Sequence, residues 1–476
     1  MKTKTKIVAT FGPSSKDYET IKSLALAGVS MFRINTSHGE KEEHAEKIKI
    51  VRQIATELNM NIPILIDLQG PKIRVGQIPE PINIQKGQEV ILEHSQEFVD
   101  DIIPVDYNGI EKDVTVGEKI LLDDGRVGLR VTKVVNNRVY TIVEHGSIIK
   151  PRKGINIPGA QASLEAVTKR DKQFIKFALE QDVDYLALSF VRSAEDVKCA
   201  RYYTKAYGDK EIPIIAKIEK PQAVANLEEI VKVADGIMVA RGDLGIEMSP
   251  QEVPIAQKEI IRLTNFHKKP CIVATQMLES MMDEPIPTRA EACDVANAIY
   301  DGTDAIMLSG ETAAGDYPVE AVKMMTEISK TVENSKFLRT DYDVDLIEEL
   351  NTVSQAISNS AVSIAKRLKA KGILIFTENG YTPPIISKLK PSAPLIVVTS
   401  SAHTARKLSI YWGINAFVAK ECNNVLDETL FKRIDELLIE RAGFKKGDDI
   451  VIVNSVPKLM TGTINTIRVH KIGETQ

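Results

Sequence analysis

The chain has 476 residues, 43% of them hydrophobic, and carries 61 Lys plus Arg against 65 Asp plus Glu for a formal net charge of -4. That near balance excludes a general attraction to nucleic acid or anionic membrane surfaces, and the length suggests about three domains at roughly 150 residues each. Cys199, Cys271, Cys293 and Cys422 are dispersed, with no C-x-x-C and no His at ligand spacing, which argues against structural zinc or a disulfide framework.

Residues 1–6 alternate Lys and Thr with no apolar core behind them, and no run reaches the roughly 18 apolar residues of a spanning helix. The expectation is a soluble, unexported, cytoplasmic protein. Short apolar runs follow at 7–10, 31–35, 64–67, 185–190, 214–218, 237–240, 271–275 and 305–308, with helix-like stretches between them. Eight continuous apolar strands alternating with helices specify a parallel (β/α)8 TIM barrel. The gap between the third and fourth runs is about four times the usual repeat and predicts an inserted domain. Within it PINIQKGQEVILE, KILLDDGRVGLRV and NNRVYTIVEHG alternate in polarity around Asp124-Gly125 and Asn136-Asn137, the mark of antiparallel hairpins. A small β-barrel over 76–158 therefore divides the barrel into 1–75 and 159–340. Beyond a change of character near 341, a helix at 352–368 and strands at 372–376, 394–398 and 449–453 predict an open C-terminal α/β domain over 341–476.

In such a barrel the chemistry lies at the C-terminal strand ends. The second strand runs into FRINTSHG, so Arg33, Asn35 and Ser37 share one face, suited to phosphate oxygens or a desolvated cation, before His38 and Gly39 turn the chain. The third ends in Asp67 and leads through Gly70-Pro71-Lys72-Ile73-Arg74, a hinge for the insert. The fifth ends in Lys217 and Glu219, the sixth in Arg241 and Asp243. Alternation puts each pair on one face of a strand tip, so that a lysine and two carboxylates converge. A divalent metal with a phosphorylated anion neutralises such a set better than pairwise bridges, the alternative being surface salt bridges. Thr275 and Gln276 follow the seventh strand, Ser309 and Glu311 the eighth. In RGDLG, Gly242, Gly245 and a following helix N-terminus suit an anion.

Taken in order, FRINTSHG, GPKIR, KGINIPGA, KIEKPQAV, MVARGDLG, ATQMLESM and LSGETAAGDYP resemble the pyruvate kinase family. The resemblance implies phosphoryl transfer from phosphoenolpyruvate to ADP, giving pyruvate and ATP. It implies Mg2+ on Glu219 and Asp243, with Lys217 and Arg33 neutralising the moving phosphoryl group and Lys217 also stabilising the enolate. Gly242, Asp243 and Thr275 would hold the substrate carboxylate, and Thr275 or Ser309 would relay a proton. Asn35, His38, Arg74 and Lys153 would contact nucleotide phosphates. A regulatory and oligomerising C-terminal domain and a homotetramer are likewise implied.

Family members that need a monovalent cation, usually K+, hold it through the equivalents of Asn35, Ser37, Asp67 and the Leu68 carbonyl. They typically read DTKGPEIRT where this chain reads DLQGPKIRV. A glutamate has become Lys72, a change of two charge units, and the fixed ammonium predicts that K+ is dispensable. The stretch Thr377, Glu378, Asn379, Gly380, Tyr381 and Thr382 is similar to the family's phosphate-gripping loop, with Asn379 in place of Ser, and suggests a phosphorylated effector. The late segment SVPKLMTGTIN lacks the glycine-rich loop of fructose-bisphosphate-responsive members. Two rival functions are a barrel lyase or aldolase forming a metal-bound enolate, and an inactive metabolite sensor.

Overall fold

The computed structural model describes residues 3–95, 98–99, 102–158, 164–208, 210–338, 352–419, 428–455 and 464–474. Eight strands, β1 (Lys6–Thr10), β2 (Met31–Asn35), β3 (Ile64–Asp67), β4 (Tyr185–Leu188), β5 (Ile214–Ile218), β6 (Gly236–Ala240), β7 (Cys271–Ala274) and β8 (Ala305–Leu308), close in the order β1-β8-β7-β6-β5-β4-β3-β2. The ladders β1–β8, β1–β2, β5–β6 and β7–β8 are all parallel. Strands covered on both faces must be apolar throughout, and every residue of these eight is buried except Arg33 and Asn35. The strands β4 and β7 stop sooner than their apolar runs predict. Phe190 (φ 56°), Thr275 (φ 69°) and Gln276 (φ 53°) take left-handed backbone that no strand accommodates.

By packing, the chain divides into two compact units, Met1–Ile66 with Glu180–Leu186 and Ile261–Gln476, and Asp67–Leu179 with Ala187–Ile260. The second unit holds the inserted β structure. Where the sequence predicts a small β-barrel, the described residues form a six-stranded sheet in the order Ile155–Asn156, Lys119–Leu122, Val127–Val135, Arg138–His145, Glu89–His94, Ile103–Val105. Its hairpins are antiparallel, as the alternation requires, and turn through Asp123, Asp124 and Gly125 and through Asn136, all at positive φ. Val90, Leu92, Ile120, Leu129, Val131, Val139 and Val143 fill its inner face.

The first unit ends in a five-stranded sheet, β9 (Gly372–Phe376), β10 (Leu395–Thr399), β11 (Ile414–Val418), β12 (Asp449–Asn454) and β13 (Thr466–Lys471), ordered β11-β10-β9-β12-β13 with only β13 antiparallel. This is the predicted open α/β layer. Two of its strands go unpredicted because both are edges. INAFV keeps four partly exposed residues, and TIRVHK mixes charge into its alternation. The helix Val353–Leu368 begins at Thr352, whose hydroxyl accepts the Gln355 N–H. No helix among the described residues is long and apolar enough to cross a membrane.

Candidate active site

The second unit brings charged strand ends together as the sequence predicts, with one addition and one correction. Lys217, 8% exposed near the end of β5, donates to Glu219 Oε1 at 2.8 Å, to Asp67 Oδ1 at 3.2 Å and to Ser189 Oγ at 2.8 Å. Ser189 in turn donates to the Leu68 carbonyl at 2.7 Å. The Phe190 N–H reaches Glu219 Oε2 at 2.7 Å, so the left-handed turn after β4 serves the carboxylate. Glu219 and Asp67 are 1% and 2% exposed. Burial is the largest influence on Glu219 and raises its pKa; Lys217 opposes the rise, and the negative charge of Asp243 adds to it. One ammonium thus lies between two buried carboxylates.

Ser189 and Phe190 are the addition. They stand at the tip of β4, and the signal for them is the polar Ser189 inside the end of the apolar run 185–190. Asp243 is the correction, because it does not extend β6 as a strand. A helix, Arg241–Glu247, starts immediately after Ala240, and Asp243 lies in its first turn. Strand alternation therefore does not pair Arg241 with Asp243. Asp243 still acts on Glu219 through its charge, while Arg241 lies 3.4 Å from Gln257 Oε1.

In the first unit, Thr10 Oγ1 accepts from the Arg33 guanidinium at 3.1 Å and donates to the Leu308 carbonyl at 2.9 Å, fixing the direction of the arginine. Asn35 Oδ1 accepts the Ser37 N–H at 3.1 Å, and His38 offers its carbonyl to His44 Nε2 at 3.0 Å. Gly39 sits at φ 77°, and a Cβ there would lie 2.9 Å from the His44 ring. Thr275 donates to the Ala274 carbonyl at 2.6 Å. Glu311 accepts the N–H groups of Ser309 and Leu278 at 2.7 and 3.1 Å, and burial raises its pKa. The Ser309 hydroxyl is buried without a hydrogen-bond partner among the described residues.

Of the remaining predicted residues, Lys153 pairs with Asp123 at 2.9 Å and Arg74 donates to the Arg152 carbonyl at 3.1 Å. Lys72 runs beside Gly154, where a Cβ would meet its stem at 2.8 Å. In the C-terminal sheet, the Gly380 N–H caps onto Thr377 Oγ1 at 2.9 Å, Thr404 donates to the Glu378 carbonyl at 2.9 Å, the Ser400 hydroxyl meets the Glu378 carboxylate, and Tyr381 is exposed. Helix Thr382–Lys388 follows. Most of SVPKLMTGTIN, and the expected junction near 341, fall outside the described residues.

Among the described residues no group of three or more His, Cys, Asp or Glu side chains is placed to hold a metal. Magnesium does not require one. It binds through one or two carboxylates, water and substrate phosphate. Glu219, whose pKa is raised by burial and further by the charge of Asp243, and Asp243 itself offer two such carboxylates.

Comparison with known proteins agrees along the whole chain. Residues 2–322 match the family described as pyruvate kinase, barrel domain, and residues 355–470 match pyruvate kinase, alpha/beta domain. A pyruvate kinase of Geobacillus stearothermophilus is 42% identical, covering 100% of this chain and 81% of its own length. One from Thermotoga maritima is also 42% identical, covering 98% and 99%. The crystal structure of a pyruvate kinase from Cryptosporidium parvum superposes with a TM-score of 0.91 at 33% identity, over 99% of this chain and 96% of that one. From barrel to C-terminal sheet, then, this chain belongs to the pyruvate kinase family of phosphotransferases.

Proposed function

We propose that the chain transfers the phosphoryl group of phosphoenolpyruvate to ADP. The observation that carries this reading is the buried cluster in which Lys217 meets both Glu219 and Asp67 and burial raises the Glu219 pKa. A magnesium ion on Glu219 and Asp243 would supply Lewis-acid charge to the phosphoryl oxygens. Lys217 exchanges part of its contact with Glu219 for the substrate's bridging oxygen, and it stabilises the enolate oxygen as the P–O bond to it breaks and the bond to the ADP oxygen forms. Arg33, steadied by Thr10, neutralises charge on the phosphoryl group. These are positioning and electrostatic tasks, which dominate such transfers. Gly242, Asp243 and Thr275 hold the substrate carboxylate. For the proton that converts enolate to pyruvate, the unpartnered Ser309 hydroxyl favours Ser309 over Thr275, whose hydroxyl already donates to Ala274.

Asn35, His38, Arg74 and Lys153 serve the nucleotide phosphates, with Lys153 leaving Asp123 to do so. Asn35, Ser37, Asp67 and the Leu68 carbonyl correspond to the family's monovalent-cation site. In this chain the ammonium of Lys72 takes over from K+. A phosphorylated effector at Thr377–Thr382, a homotetramer and a cytoplasmic location complete the proposal. Pyruvate release from phosphoenolpyruvate should require both ADP and Mg2+. Release without ADP would favour a lyase, and binding without turnover would favour a sensor.

A further inference from the structure

Glu247, the last residue of the helix that begins at Arg241, is a buried acid to which the reaction gives no task. Its Oε1 accepts from two directions: Asn156 Nδ2 at 2.8 Å and Lys220 Nζ at 3.1 Å. Its Oε2 is buried without a partner, and the residue lines a cavity of about 40 Å³ together with Lys72, Phe190 and Arg192. Each partner belongs to something the reaction uses. Lys220 follows Glu219 directly, and Asn156 lies three residues beyond Lys153 on the return strand of the insert. Glu247 itself shares one short helix with Asp243.

We infer that Glu247 is a positioning residue that sets metal affinity and anchors the root of the insert. The inference rests on reading Glu219 and Asp243 as the metal carboxylates. Its electrostatic part is simple. Without Glu247, the Lys220 ammonium, 18% exposed and next in sequence to Glu219, becomes an uncompensated positive charge that opposes a divalent cation. Its mechanical part is the joint itself. One carboxylate oxygen ties the carrier of Asp243 to the carrier of Glu219 and to the strand leading back from Lys153, as groups behind metal ligands commonly do. The unsatisfied second oxygen leaves the joint able to accept another donor when the insert moves.

The test measures Mn2+ binding to the full-length protein without substrates, by electron paramagnetic resonance of free Mn2+, alongside amide exchange over residues 152–156. Glu247→Gln should weaken Mn2+ binding roughly tenfold, and Glu247→Gln combined with Lys220→Met should return it to within about threefold of the parent. A purely structural role predicts no such rescue. Asn156→Ala should leave Mn2+ binding unchanged but speed exchange over 152–156. Thermal melts show that each variant is folded, and the rescue arm reads out even where the single variant is destabilised. If Glu219→Gln weakens Mn2+ binding and Glu247→Gln does not, the inference fails alone. If Glu219→Gln has no effect either, the site reading fails with it. Unaltered exchange in Asn156→Ala, or no rescue in the double variant, also overturns the inference.

Discussion

Among the described residues, the Asp304 cluster of the first compact unit and the Lys217 cluster of the second both bury lysine beside acid, and they are built to opposite ends. In the first unit Asp304 accepts the Cys271 N–H at 2.9 Å, the Trp412 N–H at 3.1 Å and the Lys388 ammonium. Lys388 also reaches Asn265 Oδ1 at 2.7 Å, and Lys390 lies against Trp412 and donates to the Thr303 carbonyl at 3.2 Å. Both oxygens of that carboxylate are met. Burial alone would raise the Asp304 pKa, yet Lys388 and Lys390 more than offset it and leave the pKa lowered. Around Lys217 the balance is reversed. Two carboxylates share one ammonium, a third lies close by, and the Glu219 pKa is raised. A cluster whose lysines outweigh the burial of its acid holds a fold together, whereas one in which burial outweighs the lysine is prepared for a cation that comes with the substrate.

Breaking the Asp304 cluster should have the largest effect. Asp304→Asn leaves the buried Lys388 ammonium without its counter-charge, and we expect about 3–5 kcal/mol of lost stability in chemical denaturation, with kcat nearly unchanged in the protein that remains folded. Lys217→Met should act first on turnover. It should cost roughly 3–4 kcal/mol of barrier, near a thousandfold in turnover, with modest change in Mg2+ affinity. A Lys217→Met protein with normal turnover would place the chemistry elsewhere.

The pH dependence sharpens the same contrast. Burial lowers the Lys390 pKa from its ordinary 10.5 to about 7. Between those two values the folded chain binds fewer protons at this lysine than the unfolded chain does. Stability from this group should therefore be present at high pH and be lost progressively as pH falls toward about 7. Compared with Lys390→Met, the parent should gain melting temperature between about pH 7 and 10, and parallel curves would contradict the assignment. The smallest effect concerns Lys72. The parent should keep its activity in potassium-free tetramethylammonium buffer, and Lys72→Glu should make activity depend on added K+. Activity of the parent that collapses without K+ would end that idea.

Much of this contrast is legible in the amino-acid sequence. Continuous apolar runs set the eight barrel strands, and the C-terminal ends of all but β4 and β7 agree to the residue, because a strand buried on both faces tolerates no polar residue until its tip. Lys217 and Glu219 follow from alternation alone. What alternation cannot foresee is a change of backbone state. The helix at Arg241 and the left-handed turns at Phe190 and Thr275 depend on tertiary hydrogen bonds such as Phe190 N–H to Glu219, which leave no local pattern. The cluster around Asp304 is hidden for a similar reason. Asp304, Lys388, Lys390 and Trp412 are distant in sequence, and nothing in their neighbours marks them as buried together.

The most direct test pairs activity with stability in Glu219→Gln. Removing a carboxylate whose charge is unfavourable in the folded state should abolish ADP- and Mg2+-dependent pyruvate release from phosphoenolpyruvate while leaving the melting temperature equal to the parent's or higher. A Glu219→Gln protein that turns over normally, or one that loses stability as Asp304→Asn should, would refute the idea of a carboxylate held ready for a cation.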